Sequence, residues 1–155
     1  MESASKTSGP PHASSWAAPP EFYADENVVT KSVVRFLRDL GYVLHTPAEL
    51  FGSRADAQGT DDEVWLARVS PYGWACLSRD AKILKREGEL EAYRRAQLHL
   101  FLLPGEATSA TLTNLVSTCL ADMCTAAVGR PAQCWKLTAS GLMQYPIPPK
   151  RQRTR

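Results

Sequence analysis

Four aspartates are the residues with which this sequence can do chemistry. Asp25 follows the short apolar run Phe22-Tyr23-Ala24, Asp61 and Asp62 stand just ahead of Val64-Trp65, and Asp80 comes after Trp74-Ala75-Cys76-Leu77 and Ser78-Arg79. Carboxylates gathered from such distant positions repel one another, and burying them unpaired is expensive. A divalent cation between them removes the conflict. Oxygen-only donors suit Mg²⁺ or Mn²⁺, whereas no Cys/His grouping in the chain has zinc-finger spacing. Beside such a cation, water becomes a better nucleophile and a phosphodiester oxygen finds a positive partner. Each aspartate also has a structural reading: Asp25 as a cap on the turn into the first helix, Asp61 and Asp62 as helix-start charges, Asp80 as an N-cap. Glu26 is a reserve acid.

What brings the aspartates together is the alternation of strand and helix. Phe22 to Ala24 reads as a strand. From Thr30 the apolar period becomes helical, with Val33, Phe36, Leu37 and Leu40 on one face and Gly41 closing the helix through a positive φ. Tyr42 to Leu44 is a second strand and Pro47 to Leu50 a brief helical turn. Thr60 and Glu63 have the spacing of a capping box, with Asp61 and Asp62 in the first turn, and the helix they open stops near Ser70-Pro71. Trp74 to Leu77 is the next strand, and a short helix interrupted at Gly88 follows. Leu98 to Leu103 is nearly continuous apolar sequence, the strongest interior strand. Thr108 to Val128 is a long helix, and Cys134 to Leu137 an edge strand. Strands joined by linkers of helical length predict an α/β fold with parallel pairing. Such sheets bind ligands beyond the carboxyl ends of their strands, where Asp25 and Asp80 fall.

Composition bounds the rest. The 155 residues suffice for one core. They divide into residues 1–20, a Ser/Pro/Ala-rich leader expected to be disordered, a domain over 21–137, and a Pro-rich segment with a basic tail over 138–155. Four of the 18 basic side chains lie in the last six residues, which leaves 14 against 16 acidic side chains in the body. A mildly acidic body does not suit a surface that coats nucleic acid broadly, but it permits a small site that manages phosphate through cations. No apolar run spans a bilayer and no secretory signal opens the chain, so a cytoplasmic location, without membrane, and free thiols at Cys76, Cys119, Cys124 and Cys134 are expected. His45 reads as a loop histidine, His99 as an interior one, and Trp65 and Trp74 as core. With no histidine paired to a nucleophile, a serine or cysteine hydrolase has little support.

The sequence resembles the PIN-like ribonuclease domains, especially the small branch that includes toxins of the VapC type. The resemblance runs over FYADEN at residues 22 to 27, LRDLGY at 37 to 42, GTDDEVW at 59 to 65, WACLSRD at 74 to 80 and LHLFLLPG at 98 to 105. It implies a three-layer sandwich, a central mainly parallel sheet flanked by helices. It also implies metal ligands at Asp25, at Asp61 or Asp62 with Asp62 preferred, and at Asp80, with Ser78 in the neighbouring hydroxyl position. The implied activity is Mg²⁺- or Mn²⁺-dependent endoribonuclease cleavage of RNA phosphodiester bonds, as the toxin of a toxin–antitoxin pair. The implied partners are RNA, a cognate antitoxin protein and a second copy of the chain. Arg79 or Lys82 would offset phosphate charge. Lys82 stands where the family often has a further acid, which favours a second reading: a catalytically inactive PIN-like RNA-binding or interaction domain.

Overall fold

The computed structural model describes residues 9–24, 29–52, 62–79, 87–129 and 131–147. Among them six strands form one sheet: β1 (Phe22–Ala24), β2 (Leu44–His45), β3 (Ala75–Ser78), β4 (Leu100–Leu102), β5 (Cys134–Thr138) and β6 (Gly141–Gln144). Their spatial order is β2-β1-β3-β4-β5-β6. The first five pair in parallel, as expected, and only β6 runs antiparallel. The helices are α1 (Lys31–Asp39), α2 (Pro47–Phe51), α3 (Asp62–Val69), α4 (Glu87–Ala96) and α5 (Ser109–Gly129).

Side chains of successive strand residues point to opposite faces, and here both faces are covered. Phe22, Ala24, Ala75, Leu77, Phe101, Trp135 and Leu137 pack on one side with α1 and α5. Tyr23, Cys76, Leu100, Leu102 and Cys134 pack on the other with α3 and α4. This double coverage is why the strands read as apolar runs rather than alternating patterns. The result is the α/β three-layer sandwich, with a mainly parallel central sheet flanked by helices.

Local chemistry sets the element ends. In α1, Val33, Val34 and Leu37 are buried while Arg35 and Arg38 face out. The Thr30 hydroxyl accepts from the Val33 amide at 3.4 Å, and Gly41, at φ 95°, ends the helix in the left-handed region. Helix α5, of 21 residues, is long and apolar enough by composition to cross a bilayer. Its Leu112, Val116, Cys119, Leu120 and Met123 are fully buried against the sheet, so in this fold it serves as a core helix. Each such burial contributes about 1.5–3 kcal/mol.

Several sequence expectations change. Residues 9–20 of the presumed leader are placed: Ala13 is buried, its amide donates to the Leu40 carbonyl at 2.9 Å, and Trp16 Nε1 donates to the Tyr42 hydroxyl at 2.9 Å. The sheet does not stop at residue 137. A tight turn at Ala139-Ser140 returns the chain as β6, so the strand at Cys134 is an interior one, and Trp135 is buried. Gly88 is the second residue of α4, the helix expected at Ile83 and Leu84 lies outside the described residues, and β2 starts at Leu44, not Tyr42.

Candidate functional site

The strand order reverses direction at β1. The chain leaves β1 to form β2 on one side of it, then crosses to form β3 on the other, with α1 and α3 on opposite faces. Such a reversal opens a crevice outside the carboxyl ends of the two central strands. Ala24 and Leu77 are register partners, and Ser78 is in turn the partner of Leu102, so β1, β3 and β4 end side by side. Neighbouring strands lie about 4.8 Å apart. Asp25 is the residue after Ala24, and Asp80 the second after Ser78. Both lie outside the described residues, as do Glu26, Asp61 and Lys82.

Asp62 is the first residue of α3, and only its backbone position is described. That position is one turn ahead of Trp65 and Leu66, on the helical row that meets the sheet. Leu66 is 1% exposed, and the Trp65 ring stacks on Tyr23 with centroids 5.3 Å apart. Tyr23 is two residues before Asp25 on β1. From Asp62 the helix runs down to Val69, where a 3-10 turn at Ser70–Tyr72 delivers the chain to β3. The start of α3 therefore lies toward the carboxyl end of β1. Among the described residues no three His, Cys, Asp or Glu side chains cluster as a metal site.

Ser78 ends β3, and its carbonyl accepts from the Leu103 amide at 2.8 Å. Arg79, expected to face phosphate, turns its guanidinium to the segment after β4. Nε donates to the Pro104 carbonyl at 3.2 Å, and Nη2 donates to the carbonyls of Gly105 and of Ala107, the latter at 3.4 Å. Between these two residues sits Glu106, an exposed acid at the same edge that the motif reading passed over. Its signal was positional: the first acid after the strongest strand.

The histidines serve elsewhere. His45 belongs to β2 rather than a loop, stacks on Trp74 at 3.7 Å, and has Nε2 2.7 Å from a Glu21 carboxylate oxygen and Nδ1 3.8 Å from Glu49. Trp74 stacks also on Tyr72 at 4.5 Å, so the ring system braces the face covered by α3. His99 is buried and its Nδ1 accepts from Trp135 Nε1 at 3.1 Å, the interior role expected of it.

A family profile described as a PIN like domain matches residues 20–105, more than half of the chain. The matched span opens just before β1 and closes just after β4, so it holds all four aspartates. Comparison with curated proteins and with solved structures gives no match.

Proposed function

This chain belongs to the family of PIN like domains, and from that premise we propose that it is a Mg²⁺- or Mn²⁺-dependent endoribonuclease acting as the toxin of a toxin–antitoxin pair. PIN domains are generally nucleases, and the fold here is of that nuclease type. The observation that carries the reading is the adjacent ending of β1 and β3 at the point where the sheet reverses, because the chain passes from those two ends directly to Asp25 and Asp80.

In this reading Asp25, Asp80 and Asp62, or Asp61 in its place, hold the cation. When bound, the cation supplies a Lewis acid for the phosphoryl oxygen and a more acidic water. The carboxylates fix the position of that chemistry relative to the RNA strand. Ser78, in the hydroxyl position beside Asp80, orients the substrate, and Lys82 offsets phosphate charge. A cognate antitoxin protein and a second copy of the chain are the partners of the toxin role.

The deciding experiment is a Mn²⁺ titration of RNA cleavage with wild type and Asp25→Asn. The variant is expected to lose metal-dependent cleavage while keeping its fold by circular dichroism. Undiminished cleavage by Asp25→Asn rules the site out. Lys82, in the place of a family acid, supports the second reading, a PIN-like domain that binds RNA without cutting it; RNA binding by a wild type that cleaves nothing at any Mn²⁺ or Mg²⁺ concentration would decide for that one.

A further inference from the structure

Arg79 stands between Ser78, the last residue of β3, and Asp80. Its side chain donates to three carbonyls, those of Pro104, Gly105 and Ala107. All three belong to the segment that joins β4, ending at Leu102, to α5, starting at Ser109. The backbone reinforces the grip, because the Ser78 carbonyl accepts from the Leu103 amide at 2.8 Å. A guanidinium is always charged and presents its donors in a rigid planar fork, so it can satisfy carbonyls arrayed around it; an ammonium on a flexible stem cannot reproduce that pattern. The clamped segment carries exposed Glu106 between two of the held residues and forms the rim of the carboxyl edge beside β3.

We infer that Arg79 is a positioning residue that clamps the Pro104–Ala107 segment as the rim of the candidate site, and does not serve as a phosphate-binding one. The clamp follows from the hydrogen bonds; its effect on cleavage rests on the endoribonuclease reading. A rim held by one side chain sets how the RNA strand enters, and a displacement of about 1 Å there is enough to cost up to about 100-fold in rate.

The test compares Arg79→Ala with Arg79→Lys. Hydrogen exchange of the 104–108 peptide, kcat and KM for Mn²⁺-dependent RNA cleavage, and the salt dependence of RNA binding are measured for both. The clamp predicts that both variants exchange faster over 104–108, that kcat falls about tenfold or more in each, and that KM and the salt slope stay at wild-type values. A phosphate contact predicts the opposite pattern: Arg79→Lys close to wild type, and Arg79→Ala with raised KM and a slope flattened by about one charge. That pattern, or unchanged exchange in both variants, overturns the proposal. A wild type that cleaves no RNA removes the endoribonuclease reading alone, and the exchange measurement then decides the clamp by itself.

Discussion

Cys76, Cys119, Cys124 and Cys134 are all buried and free, and burial is the first cause that pushes each thiol up. Cys134 is raised to about 12 and Cys124 to about 11, the latter held back in part by a contact of 3.5 Å with the Tyr42 hydroxyl. That hydroxyl is itself a junction, accepting from Trp16 Nε1 and donating to the Pro11 carbonyl at 3.0 Å, and burial raises the Tyr42 phenol as well. Thiolate is the reactive form, so the native chain at pH 8 should leave its thiols unmodified by iodoacetamide, whereas the urea-unfolded chain reacts at all four. The same shifts set an alkaline limit. Folded pKa values above the unfolded value of about 8.5 mean that the contribution to stability is complete below that pH and drains away as pH rises toward the folded values, because only the unfolded chain ionises. The urea midpoint should therefore fall steadily between about pH 8.5 and 11. A midpoint that stays flat over that range would show that these thiols ionise as readily in the folded protein.

At the scale of elements, α3 is the piece on whose seating the proposed site depends most, since it carries Asp62 at its first position. Leu66 is its anchor, 1% exposed, while Val64 on the same helix is 47% exposed. Leu66→Ala should cost about 2–5 kcal/mol in urea unfolding, and Val64→Ala should stay within about 0.5 kcal/mol; equal losses would mean that α3 is not seated on the sheet by its apolar row. How far such elements could be read from sequence depended on the range of the interactions that define them. The run at Leu98 to Leu103, the period of α1 and the length of α5 were legible because burial repeats locally along the chain. The order β2-β1-β3 was legible only as parallel pairing through helical linkers. The β6 hairpin was missed although Ser140-Gly141 marks a turn, because the prolines that follow it read as the end of structure. The turn is made by the Thr138 hydroxyl, which donates to the Gly141 carbonyl at 2.7 Å and accepts from the Ser140 amide at 3.2 Å. For the candidate site, the aspartates were visible in the sequence as residue types, Asp25 and Asp80 after apolar strand runs and Asp61 and Asp62 at a helix start. The Arg79 clamp was not, because its acceptors are backbone carbonyls more than two dozen residues away, and no residue type announces a carbonyl.

For the molecule as a whole, the endoribonuclease reading raises the question how a body with more acidic than basic side chains would hold a polyanion. Lys150, Arg151, Arg153 and Arg155 bring four positive charges to the end of a chain whose other 149 residues hold 14 basic and 16 acidic side chains. A cation bound among aspartates acts only over a few ångströms, and at physiological salt exposed charges are screened beyond about 8 Å. Capture from a distance therefore needs positive charge of the chain's own, and the tail concentrates it. Each phosphate neutralised on single-stranded RNA contributes about 0.7 to the slope of log K against log salt. Deleting residues 150–155 should raise the apparent Kd at low salt and flatten that slope by up to about 3. The two forms should converge at high salt, where counterion release no longer favours binding, and kcat at saturating RNA should be unchanged because the aspartates are untouched. Coincident slopes for the full and shortened chains would assign RNA capture entirely to the folded body.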